Sequence, residues 1–151
     1  MITIDEFKKN QFDKTRLIGL DLGSKRIGVS ICDERQSIAT PYKTINKSNG
    51  NELIEELKTI INENNIKGII IGNPLNMDGS SGRSAQSVKD VGSNISKSIN
   101  LPVALWDERL STVAAFNLSS QLDINVSKRV KTIDQNAAAF ILQGAIDYLN
   151  N

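Results

Sequence analysis

Residues 17–33 read LIGLDLGSKRIGVSICD, and the fold follows from how this stretch divides. Leu17, Ile18, Gly19 and Leu20 form a continuous apolar run, the pattern of a buried central strand. Gly23 and Ser24 turn the chain, and a second apolar run, Arg26 to Asp33, returns as its antiparallel partner. Asp21 stands near the end of the first run. A carboxylate is costly to bury there unless something positive meets it. Lys25, Arg26 or a metal ion could do so; the plain alternative is an aspartate facing solvent from a turn.

The rest of the chain extends this hairpin. Ile38 to Ile45 predicts a third strand, with Pro41 placing it at an edge or a bend. Leu53, Ile54, Leu57, Ile60 and Ile61 recur at helical spacing, with Glu and Lys opposite. Ile69-Ile70-Ile71 is a short apolar strand of the parallel-sheet kind. Gly72 to Gly82, GNPLNMDGSSG, forms a loop at its carboxyl end. A helix over about 84–98 follows, then an apolar strand over 103–106 that runs directly into Asp107-Glu108-Arg109. A third helix is expected over about 112–122, and residues 123–131 read as a polar, basic, mobile loop. Thr132 and Gln135 have capping-box spacing and open a last helix whose inner face carries Ala138, Ile141, Leu142, Ala145 and Leu149. Residues 1–14, with Ile4, Phe7 and Phe12 among charges, form either a short packed helix or a loose arm, and 15–151 a single domain. An antiparallel start followed by βαβ units implies an α/β fold: a mixed five-stranded sheet with helices on both faces.

Composition narrows the chemistry. A chain of 151 residues is one domain with room for a real core. The formal net charge is +1, so any nucleic-acid contact comes from a local patch. There is no histidine, which removes the commonest general base, the usual zinc ligand and the Ser-His-Asp triad. The single cysteine, Cys32, excludes an internal disulfide and reads as a buried small hydrophobe. No apolar run is long enough to span a membrane and the first residues are not a secretory signal, so the expected location is cytoplasmic.

In open α/β sheets, ligands bind at the carboxyl ends of the parallel strands. That rule singles out Asp21, the 72–82 loop and Asp107-Glu108, with Asp134 in the first turn of the last helix. Taken singly, Glu108 reads as a surface acid beside Arg109 and Asp134 as a favourable charge at a helix N-terminus. Converging, the carboxylates need divalent cations, and an oxygen-only donor set suits Mg²⁺ or Mn²⁺. Basic residues flank the acids: Lys25 and Arg26, Arg83 in the glycine loop, Arg109, and Lys128, Arg129 and Lys131 ahead of Asp134. The N–H groups of the helix after Gly82 suit an anion.

Four motifs, DLGSKRIGVS at 21–30, GNPLNMDG at 72–79, DERLSTVAA at 107–115 and DQNAAAFIL at 134–142, resemble the YqgF/RuvX family. The resemblance covers about 17–150. It implies an RNase H-like fold and a nuclease site with Asp21, Glu108 and Asp134 as catalytic metal ligands. The expected substrate groups are Lys25, Arg26, Asn76, Arg83, Arg109, Lys128, Arg129 and Lys131. One departure is Asn73, where the family commonly has an apolar residue. The implied activity is metal-dependent phosphodiester hydrolysis with Mg²⁺ or Mn²⁺ at the 5′ end of precursor 16S ribosomal RNA. Resolution of four-way DNA junctions is the alternative and would require a homodimer rather than a monomer. A non-catalytic RNA-binding module is disfavoured by carboxylates facing phosphates. An actin-like ATPase, which shares the first-strand DxG, would need a second such domain.

Overall fold

The computed structural model describes residues 1–11, 14–46, 50–74, 78, 82–108 and 126–151, with backbone alone at 50, 83, 84 and 126–135. The chain starts with α1 (Ile4–Asn10), then β1 (Leu17–Leu22), β2 (Arg26–Cys32) and β3 (Ala39–Asn46). It continues through α2 (Gly50–Asn64), β4 (Gly68–Asn73), α3 (Arg83–Ser98), β5 (Val103–Asp107) and α4 (Val126–Leu149). The five strands form one sheet in the order β3-β2-β1-β4-β5. β1 is central, antiparallel to β2 and parallel to β4, and β5 extends the parallel half. The edge position expected from Pro41 is where β3 lies, and the β2–β3 register shifts between Val29 and Ser30.

Strand alternation sorts the core into two layers. Ile18, Leu20, Ile69, Ile71 and Val103 face α2 and α3, where Leu57, Ile60, Val88 and Ile95 are buried against them. Leu17, Ile70, Ala104 and Trp106 face the other way, onto Ile141, Leu142, Ala145 and Ile146 of α4 and Phe7 of α1. By the same period of two, Gly19 and Asp21 belong to the α4 side.

Residues 1–11 take the packed-helix alternative. Thr3 caps α1 by accepting from Glu6 N–H at 3.1 Å. Ile2 N–H donates to Val103 O at 2.9 Å, along the free edge of β5. Phe7 is buried over Gly68, where a Cβ would come within 2.6 Å of its ring. Cys32 is buried as expected, its sulfur accepts Leu17 N–H at 3.2 Å, and burial pushes its thiol pKa up.

The last helix differs from expectation. It begins at Val126, not near Thr132, so Lys128, Arg129 and Lys131 stand on its first turns rather than in a loop. Asp134 is accordingly well inside the helix, not in its first turn. The reason is in the sequence: Val126, Val130 and Ile133 recur at i, i+4 and i+7, and neither Gly nor Pro interrupts 123–142. The Thr132–Gln135 spacing is therefore not a cap. The helix expected over 112–122 lies outside the described residues.

Candidate functional site

The carboxyl ends of β1, β4 and β5 lie side by side because these strands are parallel and in register. Leu20 pairs with Ile71, and Gly72 pairs with Trp106. Asp21 is the next residue on β1, and Glu108 follows β5 directly. Alternation along β5 puts Trp106 and Glu108 on the α4 side and Asp107 on the other. Gly72 completes the floor. A Cβ at Gly72 would lie 3.0 Å from Cγ and Cδ of Glu108 and 2.5 Å from Cδ1 of Ile141. Glu108 thus lies across a glycine of β4, between the sheet and α4.

Asp21 and Glu108 meet directly. Burial is the largest influence on Glu108, followed by the charge of Asp21, a side-chain hydrogen bond with Asp21, and the charge of Asp107. Together they push the Glu108 pKa up to about 7. Two carboxyl groups in hydrogen-bond contact in a half-buried position share a proton or a cation, because both cannot ionise unaided. A divalent ion with hard oxygen ligands relieves that crowding, so the donor set fits Mg²⁺ or Mn²⁺. Among the described residues no group of three acidic, Cys or His side chains is close enough to hold a metal ion. Asp134, the third acid expected at the site, lies on α4 one helical turn before Ala138, which is buried against the sheet. Only the backbone of that turn is described.

The basic candidates fall into three groups. Lys25 is exposed in the β1–β2 turn, and Arg26 is half-buried at the start of β2. Arg83 opens α3 directly after Gly82, whose N-cap position has no side-chain hydrogen bond. This helix N-terminus lies at the same end of the sheet as Asp21, and its first N–H groups point where an anion would be received. Lys128, Arg129 and Lys131 precede Asp134 on α4. Arg109 and Asn76 lie outside the described residues. Asn73 ends β4 beside Asp107, and its carboxamide oxygen is buried without a hydrogen-bond partner among the described residues.

Sequence reasoning passed over the small residues that let these elements approach. Gly19 is a glycine inside an apolar strand run, a signal of close backbone approach that was available in the sequence; Gly72, expected to open a loop, instead lies within β4. Ser30, fully buried on β2, carried no comparable signal.

Residues 15–148 match the RuvX family, described as Holliday junction resolvase. A Pelagibacter ubique protein named "Putative pre-16S rRNA nuclease" is 82% identical over 151 residues, all of both chains. A Chelativorans protein of the same name is 44% identical over 149 residues, 99% of this chain and 93% of that one. Among solved structures, Thermus thermophilus RuvC in complex with Holliday junction substrate superimposes with a TM-score of 0.58 at 10% identity. The match covers 91% of this chain and 97% of that one. The yeast mitochondrial Holliday junction resolvase Ydc2 gives a TM-score of 0.54 at 12% identity, over 97% and 84%. At such identities the likeness is one of fold, and that fold is the RNase H-like sheet.

Proposed function

The chain belongs to the RuvX family and is a nuclease, a hydrolase of phosphodiester bonds; from that premise and the site geometry we propose that it cleaves precursor 16S ribosomal RNA with Mg²⁺ or Mn²⁺. The observation that carries this reading is the Asp21–Glu108 carboxyl pair on the α4 side of the sheet, with Glu108 held near pKa 7. In a protein without histidine, crowded acids at a phosphate site are well suited to hold cations. Asp21, Glu108 and Asp134 would hold the metal, which when bound would supply positive charge to the phosphate and an activated water.

The chain's own residues do the rest. Gly72 leaves the space in which the Glu108 carboxylate lies against Asp21. Arg83 and the N–H groups after Gly82 receive a phosphate on the β4 side. Lys25, Arg26 and Arg109 neutralise backbone charge next to the acids, and Asn76 lies in the same β4–α3 segment to meet the substrate. Lys128, Arg129 and Lys131, spread over the first turns of α4, attract the strand towards Asp134. No helix of the described residues is long and apolar enough to cross a membrane. The reading places the protein in the cytoplasm with its RNA.

The family description and the names of the related structures favour a second substrate, the four-way DNA junction, which needs two active sites and hence a homodimer. The deciding experiment offers a precursor fragment spanning the 5′ end of 16S rRNA and a four-way junction side by side, with Mg²⁺, with chelator, and with Asp21→Asn. Metal-dependent cleavage of the RNA at a defined position, absent in Asp21→Asn, is the expected result. Cleavage of the junction alone transfers the reading to DNA, and cleavage of either in chelator refutes the metal site.

A further inference from the structure

The carboxylates of the site sit on elements that are far apart in sequence, and something must hold α4 in register with β1. Apolar contacts between Leu142, Ile141, Ala145 and the sheet hold the helix down, with Gly19 and Gly72 leaving slots for Leu142 and Ile141. Hydrogen bonds add directional ties. At the far half of α4, Gln143 accepts Ala39 N–H at 2.9 Å and donates to Ser37 O at 3.2 Å, and Asn150, just past the helix end, donates to Gln36 O at 2.7 Å. At the half that carries Asp134, a buried hydroxyl of β2 reaches the backbone of α4. The Ser30 hydroxyl donates to Ala138 O at 2.8 Å, and its oxygen also lies 3.3 Å from Gly19 O.

Ser30 is fully buried, and its oxygen touches two of the three elements that bear the acids, β1 and α4. Gly19 is two residues before Asp21, and Ala138 is one turn after Asp134. Gly19 is the matching slot: a Cβ there would come 2.6 Å from both Leu142 Cβ and Ser30 Oγ, and 3.1 Å from Ala138 O. The hydroxyl therefore sits where β1, β2 and α4 come closest. Inside the helix, Ala138 O remains available to its own backbone ladder, so the Ser30 bond is an additional contact rather than a fold requirement.

We propose that Ser30 is a positioning residue: its bond to Ala138 O sets the axial register of α4 and so the approach of Asp134 to Asp21 and Glu108. The inference rests on the reading of these three acids as the metal site. Loss of the hydroxyl then loosens metal binding while leaving the fold intact. Residues one step behind metal ligands typically change metal affinity about 10- to 100-fold when removed; Ser30 acts through the backbone, so about tenfold is expected.

The test titrates Mn²⁺ into the full chain by calorimetry. The emission of Trp106, the sole tryptophan and two residues from Glu108, serves as a second readout. Wild type, Ser30→Ala, Asp21→Asn and Ile60→Val are compared. Ile60 is buried on the opposite layer, so its variant reports small destabilisation alone. Wild type is expected to bind Mn²⁺ and Asp21→Asn to lose that binding. Ser30→Ala should bind about tenfold more weakly, and Ile60→Val should bind as wild type despite a lowered Tm. Single-turnover cleavage by Ser30→Ala should fall at limiting Mn²⁺ and return to within about twofold of wild type at saturation. Wild-type affinity in Ser30→Ala, or equal weakening in Ile60→Val, overturns the inference while leaving the metal site standing. No Mn²⁺ binding by wild type, or unchanged binding by Asp21→Asn, overturns both.

Discussion

Replacing Glu108 by Gln should make the metal-free protein more stable at alkaline pH. Glu108 has its pKa raised from the ordinary 4.5 to about 7 by burial and by Asp21. Between those values the folded state holds a proton that the unfolded chain has released. Stability therefore falls as pH rises through this window, and is flat on either side of it. The full shift corresponds to ~3.4 kcal/mol, at 1.36 kcal/mol per pH unit. The carboxyl is only partly shielded from water, so screening reduces the expected effect to about 1–2 kcal/mol. Glutamine has nearly the same shape and does not titrate, so its stability should not fall through the window. In chelator, thermal melts at pH 4.5 and pH 8 should show the two proteins closer together at the lower pH. At pH 8 Glu108→Gln should melt higher by roughly 2–8 °C. Mn²⁺ at pH 8 should reverse the order, because cation binding stabilises the wild-type carboxylate pair and does much less for the variant. If the difference between the two metal-free proteins does not change from pH 4.5 to 8, Glu108 is not crowded against Asp21 and the account of the site is wrong.

Asp21→Asn should behave alike, with cleavage lost and metal-free stability unchanged or higher; a clear fall in its metal-free Tm would show that Asp21 serves a structural ion pair. Chelation should abolish cleavage and added Mg²⁺ or Mn²⁺ restore it, read on the RNA and junction substrates. Gly72→Ala places a Cβ 2.5 Å from Ile141 and 3.0 Å from Glu108, so it should lose about 1–3 kcal/mol and most single-turnover activity; wild-type melting and rate would mean that β4 does not support Glu108. Changing Lys128, Arg129 and Lys131 together to Ala should weaken substrate binding and flatten its salt dependence, by roughly 0.7–0.9 in slope per lost phosphate contact. Saturated single-turnover cleavage by this variant should stay within about tenfold, and unchanged affinity and slope would make these charges bystanders.

Much of the molecule is legible in the residues themselves. The apolar runs at 17–20 and 69–71, the turn at Gly23-Ser24 and the helical spacing of Leu53 to Ile61 are local patterns, and each forms the element its periodicity implies. Pro41 marks the edge strand because a proline has no N–H to donate into a ladder. Asp21 and Glu108 stand out because an acid at the carboxyl end of a buried parallel strand needs a chemical reason to be there. The absence of histidine leaves acid-base or metal chemistry to carboxylates, lysine, water or hydroxyls.

Local pattern failed at one boundary. The capping spacing of Thr132 and Gln135 suggested a helix start, while the weaker stripe of Val126, Val130 and Ile133 carries the helix further back. Charged residues between those three mask the stripe, and a helix continues wherever no residue stops it. What only the tertiary structure decides is which small groups lie under the acids. That Gly72 lies beneath Glu108, that Ser30 reaches Ala138 more than a hundred residues away, and that Glu108 meets Asp21 all depend on strand register and on the height of α4 above the sheet. Those are properties of packed pairs rather than of neighbours in the chain. A sequence states which residues are small or acidic; the order of the strands and the close approach of the helix determine which of them touch.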